Sequence, residues 1–155
     1  MVRAWMVAAG VAAWGGVAAA CPDFNQSGPG ANLSGQQMRS GVSYSVQAGG
    51  DSYVWDCPNV QPGTDQGAGW FTARPDFTFQ ISGMSGHRLQ VIVTSQCDAA
   101  LLINTASANW YYDDDDNGNY DPRITLTRPV DGYLDVWVGT YDGQVCDAVL
   151  TLQTY

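Results

Sequence analysis

The chain has 155 residues, with six basic and fifteen acidic side chains and a net charge of −9 at pH 7. Every acidic residue is an aspartate, and the sequence contains neither glutamate nor lysine. Because binding to nucleic-acid phosphates needs a positively charged surface, this balance excludes nucleic acid as an expected partner.

The N-terminus predicts a secretory signal peptide over residues 1–20. Arg3 precedes an almost wholly apolar stretch at 4–17, and three alanines at 18–20 form a small-residue cleavage site. The stretch is too short to predict a membrane span. Residues 21–155 are therefore expected to form one exported domain, periplasmic or extracellular, which is long enough to bury a core.

An even number of cysteines in an exported chain predicts two disulfides. Three pairings are possible, and we favour Cys21–Cys57 with Cys97–Cys146 because each joins neighbours within one half of the chain. The spacings resemble no zinc site. A lipid anchor on Cys21 is not expected, since Ala18 stands where a lipobox normally has leucine.

Alternating apolar and polar residues predict short strands through most of the chain, with Gly, Pro, Asn and Asp at the turns. Residues 22–41 are rich in Gly, Ser, Asn and Gln and are expected to form an irregular N-terminal arm, and 58–69 a loop. The predicted strands lie, in chain order, at 42–47, 52–55, 76–82, 88–95, 99–104, 109–112, 123–127, 133–141 and 145–153.

This pattern predicts an all-β protein. The absence of Glu and Lys removes two good helix formers, and no segment has the length and period of a long helix. About seven to nine strands with regularly spaced turns are typical of a β-sandwich of jelly-roll type. We expect two disulfides to stabilise it.

Four consecutive aspartates at 113–116, called here the aspartate run, precede the predicted strand 123–127. Carboxylates about 4 Å apart repel by about 1 kcal/mol in water, so a turn that crowds them favours a hard cation such as Ca²⁺. Alternate oxygen ligands followed by Gly118 match the first half of a calcium loop, but Ile124 at position twelve excludes an EF-hand. The alternative is a solvated turn that protects a sheet edge. The candidate Ca²⁺ ligands are Asp113, Asp114, Asp115, Asp116, Asn117, Asn119 and Asp121.

Three aromatic residues lie directly before the aspartates and are candidates for ligand binding: Trp110, Tyr111 and Tyr112. An exposed ring beside Asp and Asn side chains can stack on a sugar while the polar groups bind its hydroxyls. The alternative is that alternation along the strand places some of these rings in the core.

Six segments follow one another between residues 76 and 141: DFTF at 76–79, LQVIV at 89–93, DAALLI at 98–103, DPRI at 121–124, PVDGY at 129–133 and VWVGTY at 136–141. In their order and spacing they resemble the bacterial pre-peptidase C-terminal domain family. The resemblance implies a jelly-roll β-sandwich of the kind found on secreted proteases, whose relatives bind collagen or polysaccharide and in some cases Ca²⁺. The family's acidic loop maps onto Asp114, Asp115 and Asp116, and here no peptidase precedes the domain.

Catalysis is not expected. His87 is the single histidine, it falls in a predicted hairpin turn, and no glycine pattern marks a nucleophile elbow. The clustered aspartates share one loop, which makes it hard to separate their pKa values as glycoside hydrolysis requires. A hydrolase using an aspartate pair or His87 is the remote alternative.

The predicted function is therefore a non-catalytic, exported binding or accessory module, stabilised by Ca²⁺ and recognising a glycan or an extracellular protein. A structural or assembly subunit of the cell envelope is the alternative.

Overall fold

The structure is a computed structural model that describes residues 20–155, so the predicted signal peptide lies outside the described residues except for Ala20. Within this part of the chain no helix is long and apolar enough to cross a membrane. Two short 3₁₀ helices occur, at Gln37–Ser40 and Val54–Asp56. The strands are β1 (Asn32–Ser34), β2 (Val42–Ala48), β3 (Ser52–Tyr53), β4 (Trp70–Phe71), β5 (Phe77–Ser82), β6 (Leu89–Ser95), β7 (Ala99–Thr105), β8 (Trp110–Asp113), β9 (Arg123–Leu126), β10 (Gly132–Thr140) and β11 (Cys146–Thr154).

Two sheets pack face to face. The smaller sheet has the order β2-β11-β6-β9, and the larger has β1-β5-β10-β7-β8, with β4 and β3 continuing along the end of β10. Four antiparallel pairs nest inside one another along the chain: β2 with β11, β5 with β10, β6 with β9, and β7 with β8. This nesting is the jelly roll, and the predicted all-β sandwich is confirmed.

The main core lies between the sheets, where alternate residues of each strand meet. On β10 the inward residues are Leu134, Val136 and Val138, and on β7 they include Leu101 and Ile103. Period-two alternation explains this, because successive side chains of a strand point to opposite faces.

The outer face of the larger sheet is also partly covered. The loop 54–71, which begins with the second 3₁₀ helix and ends in β4, packs on the outward residues of β7, β8 and β10. It forms a second apolar cluster with residues that include Leu102, Tyr112, Trp137 and Phe71. This layer explains why β10 is apolar on both faces. If this outer face were solvated, the position that Trp137 occupies would be expected to carry a polar residue.

The arm differs from the prediction. Residues 22–41 contain β1 and a 3₁₀ helix, and β1 pairs in parallel with β5. The pairing depends on Gly30, where a Cβ would stand 1.8 Å from the carbonyl oxygen of Thr78. Leu33 and Met38 anchor the arm in the main core. Three large apolar residues, Phe24, Leu33 and Met38, spread over a polar segment give too sparse a pattern to predict a strand.

Both predicted disulfides are confirmed. Cys21 is bonded to Cys57 with the Cα atoms 5.5 Å apart, and Cys97 to Cys146 with the Cα atoms 6.3 Å apart. The first ties the arm to the outer layer, and the second ties the start of β11 to the loop before β7. Such bonds persist in oxidising compartments, in agreement with an exported protein.

Candidate functional site

The aspartate loop, residues 114–122, connects β8 of the larger sheet to β9 of the smaller one, at one end of the sandwich. A tight turn closes the loop. The N–H of Asn117 donates to the carbonyl of Asp121 at 2.9 Å, and the N–H of Asp121 donates to the carbonyl of Gly118 at 3.1 Å. Gly118, Asn119 and Tyr120 have positive φ. This conformation suits Gly and is tolerated by Asn, so the local sequence explains the turn at Gly118 and Asn119, whereas at Tyr120 it is strained.

Three of the predicted metal ligands converge. One carboxylate oxygen from each of Asp113, Asp115 and Asp116 lies within 4.8 Å of the other two. Asp113 is buried because it shares the inner face with Leu101, its partner across the ladder, whereas the other two are exposed. Burial raises the pKa of Asp113 to about 6, although its carboxylate accepts the N–H groups of Arg123 and Asp116.

The remaining predicted ligands do not join this cluster in the same way. Asp121 is buried, and its carboxylate accepts hydrogen bonds from Ser95. The side-chain amide of Asn117 donates to the carbonyl of Val93 at 3.4 Å. Burial, and then the neighbouring Asp115, raise the pKa of Asp114, which lies beside Tyr112.

The acidic surface is wider than the loop. Burial raises the pKa of Asp98, and the negative charges of Asp142 and Asp115 raise it further. Asp65 adds to the charge around Asp114. Negative potential therefore covers this end of the sandwich, including residues that are far from the run in the sequence.

Of the three aromatic candidates for ligand binding, two have covered rings, which is the alternative that the sequence left open. Trp110 is only 7% exposed and Tyr112 only 3%, since the loop 54–71 lies over them. Tyr112 donates its hydroxyl hydrogen to the carbonyl of Ala68. Tyr111, on the opposite face of β8, is half-buried and packs against the main core.

His87 lies in the link between β5 and β6, but the predicted hairpin is wrong, because β5 belongs to the larger sheet and β6 to the smaller one. Its Nδ1 is buried and has no hydrogen-bond partner in the described part of the chain. A triad histidine is oriented by a carboxylate on this atom, and the described residues supply none.

Three cavities adjoin the β7–β8 turn, residues 105–109. The first, of about 360 Å³, opens between the sheets and is lined by Tyr111, Tyr133 and Arg128 among others. The second, about 610 Å³, lies beside Trp110 and Phe24. The third, about 350 Å³, lies on the outer face of the larger sheet between Phe24 and Tyr133. Volumes of this size fit small ligands.

Two polar residues of the third cavity were missed by sequence reasoning: Asn104 and Asp135. Asn104 ends the apolar run of β7, and Asp135 lies between two core residues of β10. The available signal was an aspartate flanked by Leu134 and Val136, inside a strand that is otherwise mostly apolar.

No family model matches the chain, and no curated protein matches it either. Among solved structures the chain is similar to a mutant of the periplasmic inhibitor of g-type lysozyme from Escherichia coli. The sequence identity is 13%, the TM-score is 0.43, and the match covers 83% of this chain and 100% of that one. The resemblance to the pre-peptidase C-terminal domain family stays a prediction.

Proposed function

We propose that this chain is an exported, non-catalytic binding module that recognises a glycan through the surface around the β7–β8 turn. The observation that carries the proposal is that three cavities meet at this one turn. Their walls combine aromatic rings with hydroxyl and amide groups. This mixture suits sugars, because rings stack on the apolar face of a pyranose and polar groups bind its hydroxyls.

Export is part of the proposal. It is supported by the two disulfides, which a reducing cytosol would not maintain. The resemblance to pre-peptidase C-terminal domains belongs to the same proposal, because those domains are expected to be jelly-roll sandwiches and this chain has that topology.

Ca²⁺ is proposed as the ion that orders the aspartate loop. The donors fit, since Ca²⁺ is bound by carboxylate oxygens and Asp113, Asp115 and Asp116 bring three together. Asp113 also places a carboxylate in a desolvated position, where a cation would offset the cost of its charge. The ion would supply positive charge to the turn.

The function is tested on a glycan array, with the mature disulfide-bonded protein in millimolar Ca²⁺ and again in chelator. We expect binding to a defined set of glycans, and weaker binding in chelator. Size-exclusion chromatography run alongside tests the alternative assembly role. Discrete oligomers without binding to any glycan would contradict the proposed function and favour a structural subunit.

The Ca²⁺ proposal has its own test, which is the melting temperature in Ca²⁺, in Mg²⁺ and in chelator. An ion that binds only the folded state at a hundred times its dissociation constant adds about 2.7 kcal/mol to the free energy of unfolding. We expect the rise in Ca²⁺ to disappear in the double variant Asp115→Asn, Asp116→Asn. Asp147→Asn, an exposed change on the smaller sheet, is the control and should keep the rise. An unchanged melting temperature in Ca²⁺ would refute this part.

A further inference from the structure

A row of polar residues crosses the outer face of the larger sheet. Thr78 on β5 is the direct partner of Asp135 on β10, and Asp135 is the partner of Asn104 on β7. Asn104 is in turn the partner of Trp110 on β8. Directly opposed residues of antiparallel strands share a face, so these four side chains form one continuous line.

The amide of Asn104 is buried but unsatisfied. The residue is 3% exposed, and its Nδ2 has no hydrogen-bond partner among the described residues. A buried donor without a partner costs about 1–3 kcal/mol, and such groups are rare enough to require an explanation. The Asn104 side chain lines the third cavity, and a rotation of its amide would bring this N–H to an acceptor on a ligand bound there.

The carboxylate of Asp135 is held in place beside this amide. Asp135 is 6% exposed, and its Oδ1 accepts the hydroxyl hydrogen of Thr78 at 2.6 Å. The hydroxyl of Thr78 accepts the backbone N–H of Gly28 at 2.9 Å, so the arm fixes the whole chain of hydrogen bonds. Oδ2 of Asp135 has capacity left to accept a donor from a ligand.

Aromatic rings border the cavity on two sides. Tyr133 lies on the same face of β10 as Asp135, and it is 63% exposed. Phe24 of the arm packs edge-on against Trp110, with the ring centroids 5.9 Å apart, and its other side is open to the cavity. The site therefore has fixed polar groups at its base and aromatic rings at its rim.

We propose that this cavity binds an uncharged pyranose ring of a saccharide, with neighbouring hydroxyls bonded to Asn104 and Asp135 and the ring against Tyr133. The assignment rests on the proposed function and names its primary subsite. A hydroxyl both accepts and donates, so adjacent hydroxyls satisfy an amide N–H and a carboxylate together. A guanidinium or ammonium group only donates and would leave the amide unpaired, and an anion would be repelled by Asp135.

The test compares three variants of the mature protein with the natural one, using the uncharged oligosaccharide bound most strongly on the array. Tyr133→Ala changes an exposed side chain, and Asp135→Asn preserves shape while removing the charge. Both should weaken binding about ten-fold or more, the loss expected of a central contact. Tyr120→Ala removes a ring that is 70% exposed on the aspartate loop. Its dissociation constant for the oligosaccharide should stay within about two-fold of that of the natural protein.

A second measurement needs no variant in the binding step. In the natural protein labelled with ¹⁵N-asparagine, the side-chain NH₂ signals of Asn104 should shift when the saccharide is added. The signals are assigned from the spectrum of Asn104→Ser.

Each contrary result has a distinct meaning. Glycan binding that survives Tyr133→Ala and leaves the Asn104 signals unmoved refutes this cavity but not the proposed function. Binding to no glycan at all refutes both. Binding only to sulfated or carboxylated glycans refutes the assignment of an uncharged ring. Binding of hexa-arginine that is lost in Asp135→Asn also refutes it, and assigns the cavity to a basic protein segment.

Discussion

Asp121 accepts hydrogen bonds from both the backbone N–H and the hydroxyl of Ser95, each at 2.9 Å, and so ties the end of the aspartate loop to β6. The hydroxyl of Ser95 also lies 2.8 Å from the carbonyl of Cys97. The aspartate run and its terminal residue therefore differ in role. Asp115 and Asp116 of the run are open to solvent and ions, whereas Asp121 supports the fold.

Replacing Asp121 by alanine should lower the free energy of unfolding by about 3 kcal/mol, because two hydrogen bonds to a buried charged acceptor are lost. The loss should be equal in Ca²⁺ and in chelator, as measured by urea denaturation. Asp115→Ala is the matched control at an exposed position, and in chelator it should change stability by less than about 0.5 kcal/mol. A loss for Asp121→Ala that appears only in Ca²⁺ would instead make Asp121 a metal ligand.

Much of the fold could be predicted because alternation fixes which face of each strand is buried. Strands β2, β5, β6 and β11 begin and end within about two residues of the prediction, and the disulfides join the expected cysteines. The sandwich follows from these elements, since strands with one apolar face must bury it against another sheet.

The outer layer could not be predicted, because its cover is a loop rich in Gly, Pro and Gln that has no period. The sequence leaves open whether Trp110 and Tyr112 are exposed, and they are buried because 54–71 folds back over them. The same loop leaves Asn104 and Asp135 beside an open cavity. A pattern along one strand cannot show which parts of a distant loop lie on it.

Gly30→Ala should destabilise the arm. A Cβ at Gly30 would meet the carbonyl oxygen of Thr78, so β1 must move away from β5 or the pair must deform, at a cost of about 1–3 kcal/mol. Because the arm fixes Thr78, binding in the outer-face cavity should weaken as well. The melting temperature and glycan titration measure the two effects.

Gly63→Ala is the control for this change. A Cβ at Gly63 meets no atom within 4 Å, and the residue does not have positive φ, so stability should be unchanged. Equal melting temperatures for the two variants would show that β1 does not depend on the close approach at Gly30.

Removing the Cys97–Cys146 bond should cost about 4 kcal/mol. The bond closes a loop of 49 residues, which in the chain-entropy model restricts the unfolded state by about this amount. The double variant Cys97→Ala, Cys146→Ala, measured by urea denaturation, tests the value. This variant should keep the Cys21–Cys57 bond. The matched variant Cys21→Ala, Cys57→Ala, which lacks that bond instead, should also expose Trp110 and Trp137 to fluorescence quenchers. Equal quenching in both variants would contradict separate roles for the two bonds.

Asp76→Asn should stabilise the protein at neutral pH. The carboxylate accepts the N–H of Val138 at 2.7 Å, yet burial raises the pKa of Asp76 from 3.8 to about 6. A raised pKa means that the folded state binds this proton more tightly than the unfolded state does. Asp76 therefore does not lower the free energy of unfolding below about pH 4, and lowers it most above pH 6, where the buried carboxyl group must be charged. Two pKa units correspond to about 3 kcal/mol, which is the gain expected at pH 7 and should vanish at pH 4.

Asp131→Asn supplies a control of opposite sign. Its carboxylate accepts the N–H groups of Met84 and Gly83, which lower its pKa below the usual value. The charged form is therefore favoured in the folded state, and its contribution is present at neutral pH and lost as the pH falls through the lowered pKa. Urea denaturation between pH 3 and pH 7 should show Asp131→Asn losing stability relative to the natural protein as pH rises, while Asp76→Asn gains it. Parallel pH profiles for the two variants would refute the assigned cause of both shifts.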